Sequence, residues 1–148
     1  MRIADILSPE RILCNIETGS KKATLEILAT LIASADSTLT QSEVFDSLLA
    51  RERLGSTGLG QGIALPHGRL KHGNKTLGAF VRLQAGIDYD AIDQGPVDLL
   101  FALLVPEEST HEHLEILSKL AEMFSNHKFL EQLKNEPSSD NVFRLLTE

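Results

Sequence analysis

The amino-acid sequence predicts an α/β fold in which a mixed β-sheet lies sandwiched between helical layers, a three-layer α/β/α arrangement. Helical and strand periodicities alternate along the chain instead of segregating into halves. The stretch Val97 to Val105 is almost wholly apolar after Asp98, as in a central strand buried on both faces. The length, 148 residues with 42% hydrophobic side chains, suits one domain spanning 1–148 with enough apolar surface for a core.

The elements follow in order. Met1 to Leu13 alternates apolar and charged residues without the apolar run of a signal peptide. Cys14, within Ile12-Leu13-Cys14-Asn15-Ile16, reads as a small core residue. From Ser20 to Ala35, Leu25, Leu28, Leu31, Ile32 and Ala35 recur at three- and four-residue steps, which predicts an amphipathic helix. Thr40-Gln41-Ser42-Glu43 is a capping box, opening a second helix that buries Val44, Phe45, Leu48 and Leu49. That helix stops near Gly55, so Arg51 and Arg53 fall in its last turn, where cations suit the helix dipole. Gly55 to Gly62 holds four glycines in eight residues and is expected to be irregular. Ile63-Ala64-Leu65 predicts a short strand ended by Pro66-His67-Gly68. Leu77, Ala79, Val81 and Leu83 predict a strand with one buried face. After Pro106, Ser109 to Glu112 predicts a second cap, and Leu114, Leu117, Leu120, Ala121 and Phe124 the buried stripe of its helix. Two shorter helices, about His127–Lys134 and Asp140–Leu146, flank the only linker-like cluster, Asn135 to Ser139.

Composition removes several function classes. With 14 basic and 21 acidic residues the formal charge is −7, against nucleic-acid binding and against docking on anionic lipid. A single cysteine permits neither an intrachain disulfide nor a thiolate zinc cage. No apolar run approaches a membrane span. The expectation is a soluble cytoplasmic protein. The carboxylates of Asp88 to Asp93 fail calcium-loop spacing and read as a polar β connection.

The chemistry concentrates at Gly60-Gln61-Gly62-Ile63-Ala64-Leu65-Pro66-His67-Gly68-Arg69. Pro66 stiffens the backbone before the imidazole and Gly68 removes bulk after it, which suits a ring that something large must approach. The competing reading of His67 is a turn histidine without a role, and three features weigh against it. Ser56 and Thr57 sit in a glycine-rich loop whose free amides and hydroxyls suit an anion. No Gly-Lys-Ser/Thr follows, so nucleotide binding is unsupported. Arg51, within folding-back distance, offers a guanidinium, the natural bidentate partner of a phosphoryl group. His111 and His113 lie in the first turn of a helix, about 200° apart, so one of them can face the site while the helix N-terminus favours an anion there. They cannot grip one metal as an i, i+4 pair would. Arg53, His72 and His127 read as surface residues.

The block Arg51 to Gly60 followed by Gly62-Ile63-Ala64-Leu65-Pro66-His67-Gly68 resembles the active-site block of the fructose/mannitol type enzyme IIA domains of the bacterial phosphoenolpyruvate-dependent phosphotransferase system. Asp90 to Pro106 and the pair His113-Leu114 make it most similar to the nitrogen-regulatory branch, and the resemblance runs the length of the chain. It implies that His67 is phosphorylated, through Nε2 with Nδ1 held by a backbone acceptor. It also implies that Arg51 contacts the phosphate and that His113 is the second active-site histidine. Ser56 and Thr57 are expected to bind phosphate, and Arg69 to add charge for docking or simply to face solvent. The implied donor is a histidine phosphocarrier protein, itself charged by an enzyme I, with neither metal nor cofactor.

Two functions compete within that resemblance. One is a regulatory phosphocarrier that binds target proteins according to its phosphorylation state. The other is a sugar-specific enzyme IIA subunit relaying phosphate to an enzyme IIB for carbohydrate uptake. A hydrolase using Ser56 or Ser109 is disfavoured, since no serine occupies a nucleophile elbow and no buried Asp is placed to orient His67.

Overall fold

A computed structural model describes residues 1–148. Two 3-10 turns (Ile3–Asp5 and Pro9–Arg11) lead into strand β1 (Ile12–Ile16), followed by helices α1 (Lys21–Ala33) and α2 (Gln41–Arg53). Four strands come next: β2 (Gly58–Gly60), β3 (Ile63–Ala64), β4 (His67–Leu70) and the long β5 (Leu77–Ile87). Strand β6 (Val97–Pro106) and helices α3 (Thr110–Phe124), α4 (His127–Asn135) and α5 (Ser139–Thr147) complete the chain.

The sheet runs β1-β5-β6-β3-β2, with β4 also paired to β6. It is mixed: β5 and β6 are antiparallel, whereas β1 is parallel to β5, and β3 and β4 are parallel to β6. Because successive residues of a strand point to opposite faces, β6 serves two cores at once. Leu100, Ala102 and Leu104 face α1 and α2, joining Leu25, Leu28, Ile32, Val44 and Leu48. Leu99, Phe101, Leu103 and Val105 face the other helices, joining Ile116, Leu120, Phe124, Leu130 and Leu146. Each fully buried Leu or Phe contributes about 1.5–3 kcal/mol, so the two helical layers are held by comparable apolar faces. The predicted three-layer α/β/α order is the observed one.

The helix starts follow their caps. Ser20 Oγ accepts from Ala23 N at 3.1 Å, and the Thr40 box is closed both ways, Glu43 N to Thr40 Oγ1 at 3.1 Å and Thr40 N to Glu43 Oε1 at 3.0 Å. Ser109 is the N-cap of α3 as expected, but its side chain makes no capping hydrogen bond.

Several local expectations are corrected. Strand β1 was not anticipated; its short, charge-flanked run is stabilised by parallel pairing with β5 at the sheet edge. Leu77 to Leu83 is buried on both faces, not one. The second face carries little apolar signal in the sequence, since Gly78 has no side chain and Arg82 is charged, yet Arg82 is buried. Its Nη1 donates to the Leu133 and Glu136 carbonyls at 2.7 and 2.6 Å, closing the end of α4. The buried stripe of α3 is His113, Ile116, Leu120 and Phe124, leaving Leu114 60% exposed; Ala121 is also exposed. Phe45 and Leu49 are only partly buried. Within the glycine-rich segment, Gly58–Gly60 is a short edge strand paired with β3. Cys14 is half-buried against the α3–α5 core, where burial pushes its thiol pKa up, in keeping with a packing role.

One correction shapes the site. His67 does not end a strand; it opens β4. Strands β3 and β4 run along the same edge of β6, Ala64 opposite Leu100 and His67 opposite Leu103, with a break at Leu65-Pro66. Pro66 has no N–H to give the ladder, but its carbonyl accepts from Leu103 N at 2.9 Å, so the chain stays in register across the break.

Candidate active site

The break places His67 with its ring half-buried and its Nδ1 2.8 Å from the Leu65 carbonyl. A carbonyl only accepts, so Nδ1 carries the proton and Nε2 presents a lone pair. Burial lowers the pKa of His67, and the nearby Arg51 and Arg69 guanidiniums lower it further; the Leu65 hydrogen bond and Glu52 act in the opposite sense. The ring is therefore neutral near pH 7, the state needed of a nitrogen nucleophile.

His113, the fourth residue of α3, packs against it with ring centroids 5.5 Å apart and planes tilted by 50°. It is 5% exposed, and its Nδ1 has no hydrogen-bond partner. Burial first, then repulsion from His67 when it is protonated and from Arg69, depress its pKa to about 4. Neutral His113 can offer one N–H to an anion in the cleft that both rings line.

Arg51 comes from the last turn of α2, where its Nη1 donates to the Gly55 carbonyl at 2.9 Å. It lines the same open cleft of about 720 Å³ as His67, Arg69 and His113, with Ser47 and the 84%-exposed Leu54 on the α2 wall. Gly68 lets that wall approach: a Cβ there would overlap Ser47 Oγ, and Ser47 Oγ donates to the Arg69 carbonyl at 3.0 Å. The cleft thus combines an unprotonated nitrogen, a second imidazole and two guanidiniums around a space open to solvent. That suits capture of a phosphoryl group from a large donor.

The structure brings His67, His113 and Arg51 together, but leaves Ser56 and Thr57 outside the cleft lining. Ser56 Oγ donates to the Tyr89 carbonyl and accepts from Gly58 N, both at 3.1 Å. Thr57 is buried, its hydroxyl held between the Glu52 carboxylate and Tyr89 Oη. Both hydroxyls, expected to bind phosphate, are instead engaged within the loop and its neighbours. His111 is exposed beside Glu115, His127 is exposed near Gln61 and Glu131, and Arg53 is exposed. His72 is exposed too, but is paired with Glu43 at 2.5 Å.

Sequence reasoning missed Glu52, Lys21 and Tyr89, which form a buried polar network behind the loop. A signal was present for Glu52: an acid in the last turn of a helix opposes the dipole and calls for a local partner. Tyr89, the single tyrosine, lies within a segment whose sequence predicts a polar connection; it is fully buried while Asp88 and Asp90 around it are exposed. The Asp93 carboxylate accepts from Gln61 N at 3.1 Å and Gly95 N at 3.0 Å, occupied by backbone as a turn residue. No group of three or more His, Cys, Asp or Glu side chains is placed to hold a metal ion, and no helix is long and apolar enough to cross a membrane.

A nitrogen regulatory protein of Pseudomonas aeruginosa is 42% identical over 148 residues, covering all of this chain and 96% of that one. One from Escherichia coli is 39% identical, covering 100% and 91%. Among solved structures, the nitrogen regulatory protein IIA-Ntr of Neisseria meningitidis superposes with a TM-score of 0.93 at 46% identity, over 98% of this chain and 99% of that one. The mannitol IIA of Escherichia coli shares the fold, with a TM-score of 0.78 at 22% identity over 95% and 98%. The family described as "Phosphoenolpyruvate-dependent sugar phosphotransferase system, EIIA 2" matches residues 5–148, and with these relatives it shows that the chain belongs to that enzyme IIA family.

Proposed function

We propose that this chain is a phosphohistidine phosphocarrier and regulator, one functional unit acting in the bacterial cytoplasm. It takes a phosphoryl group on His67 from a histidine phosphocarrier protein that an enzyme I has charged, and it binds regulatory targets according to its own phosphorylation state. The observation that carries this reading is the His67 imidazole, with Nδ1–H committed to Leu65 and Nε2 free beside His113 and Arg51 in an open cleft. The full-length nitrogen regulatory relatives favour the regulatory role over sugar uptake. A fructose-specific EIIABC component of Bacillus subtilis is 29% identical, and this chain spans only 23% of it.

In the transfer, the Nε2 lone pair of His67 forms a bond to phosphorus while the bond to the donor's ring nitrogen breaks, its electron pair returning to the donor. The proton stays on Nδ1, hydrogen-bonded to the Leu65 carbonyl, which supports the positive charge that the ring gains. Transition-state charge lies on the three equatorial oxygens, so the protein's work is positioning and electrostatic stabilisation by Arg51 and His113.

The test is incubation with phosphoenolpyruvate, enzyme I and the phosphocarrier protein, followed by intact mass. The wild type is expected to gain one acid-labile phosphoryl group and a folded His67→Ala variant none. A His67→Ala protein that still gains the group would refute the assignment. Phosphorylation adds about −1.5 to −2 charges to the cleft, and is expected to weaken binding of a pulled-down target by about 5- to 150-fold. Equal affinities in both states across every target recovered would favour simple relay to an enzyme IIB.

A further inference from the structure

Glu52 is a buried ionisable group that the scheme above does not use. It lies beside Arg51 in the last turn of α2 and is 7% exposed. Its Oε1 accepts from Lys21 Nζ at 2.9 Å and from Thr57 N at 3.1 Å, and its Oε2 accepts from the Thr57 hydroxyl. Lys21 Nζ also sits 4.2 Å from the centroid of the Tyr89 ring and donates to the Tyr89 carbonyl at 3.3 Å. One carboxylate thereby joins the start of α1, the end of α2, the loop at Thr57 and the segment around Tyr89.

A charge in this place is costly, because it is desolvated and because it stands at the negative end of a helix. Holding four segments together does not require it, since well-packed neutral side chains often do so as well or better. The carboxylate is held one residue from Arg51 and bonds the loop on which Arg51 rests. Arg51 leaves the same turn, and its guanidinium rests on the Gly55 carbonyl of the loop that Glu52 ties down through Thr57 N. At His67 the Glu52 carboxylate opposes the burial and the guanidiniums that make the ring less basic. The charged and titratable groups around His67 are Arg51 and Glu52 from α2, Arg69 from β4 and His113 from α3, with Glu43 and Asp46 of α2 lining the same cleft.

We propose that Glu52 is a positioning residue for phosphoryl transfer: through Thr57 it fixes the loop that seats Arg51, and its buried carboxylate, with Lys21 as counterion, carries the negative charge behind that loop. This rests on His67 being the phosphoryl acceptor. Two readouts on the full chain test it: the His67 ring-proton titration by NMR, which needs no donor, and single-turnover phosphorylation by the phosphorylated phosphocarrier protein. Glu52→Gln keeps an acceptor for Thr57 N and removes the charge. It is expected to lower the His67 titration midpoint and slow transfer by about 10- to 100-fold, by analogy with partners that orient metal ligands. Lys21→Met leaves the carboxylate and removes its cation, and is expected to raise the midpoint. Opposite shifts mark a charge effect that loosened packing does not produce. A folded Glu52→Gln protein with unchanged midpoint or unchanged rate overturns the proposal, as do midpoints that move in the same direction. If Glu52→Gln does not fold, the Lys21→Met titration decides, and an unmoved midpoint overturns it. A wild type that takes no phosphate refutes the acceptor reading itself, which separates that failure from this one.

Discussion

At the scale of single residues, the two histidines of the cleft are set by burial. His113 has an unfolded pKa near 6.5 and a folded one of about 4, lowered chiefly because its ring is out of water. The folded state therefore binds this proton less readily than the unfolded state does. Its contribution is fully present above about pH 6.5 and is lost as the pH falls from there towards about 4. His67 is lowered in the same direction and acts in the same sense. The expected outcome is that, between pH 7 and pH 4.5, urea denaturation finds wild type losing roughly 1–3 kcal/mol more than His113→Gln. An identical pH dependence in the two proteins would show that His113 is not held neutral by the fold. The same low basicity leaves Nε2 of His67 unprotonated near neutrality, so local burial and function are linked directly.

The element scale is governed by how closely α2 approaches β4. Gly68 has ordinary negative φ, so its value lies in space, not in backbone freedom. A Cβ at this position would meet the Ser47 hydroxyl and lie 3.1 Å from Ser47 Cβ and carbonyl carbon. Gly68→Ala is expected to cost about 1–3 kcal/mol, as overpacking does, and to push Arg51 away from His67. Ser47→Ala in the same chain removes the nearest atom and should recover part of that loss. A Gly68→Ala protein with wild-type stability and wild-type phosphorylation would mean that the two elements separate freely. Arg82 plays a comparable structural part on the other face, giving the carbonyls at the end of α4 a buried donor.

For the whole molecule, β6 is the element that both cores share, so neither helical layer is expected to unfold alone. Leu100 belongs to the core under α1 and α2, Leu99 to the core under α3, α4 and α5, and both are fully buried. Leu99→Ala and Leu100→Ala should each cost about 2–5 kcal/mol and shift one common transition, read by calorimetry and far-UV circular dichroism. Two resolved transitions, each moved by only one of the substitutions, would contradict a shared core. Charge is also distributed at this scale: the chain carries −7 overall, yet Arg51 and Arg69 line the cleft around His67.

Periodicity and local chemistry determined by themselves the helix starts at Ser20 and Thr40, the buried strand from Val97 and the three-layer order; they also singled out His67 and Arg51 as neighbours, while the choice of His113 over His111 came from the family resemblance. These are short-range properties, carried by spacing and by side chains that bond their own neighbours in sequence. What only the tertiary structure decided depends on partners far along the chain. The second buried face of β5 is hidden in the sequence by Arg82, whose charge becomes tolerable only against carbonyls more than 50 residues away. Ser56 and Thr57 looked like anion ligands because a hydroxyl in a glycine loop is free until something claims it, and Tyr89 and Glu52 do. The resemblance implies a backbone acceptor for Nδ1 of His67, but which carbonyl it is depends on β6: pairing with Leu103 holds the chain in the register that brings Leu65 O to Nδ1. A buried polar group is read correctly only once its partner is known, and in a sheet with crossovers that partner is seldom nearby in sequence.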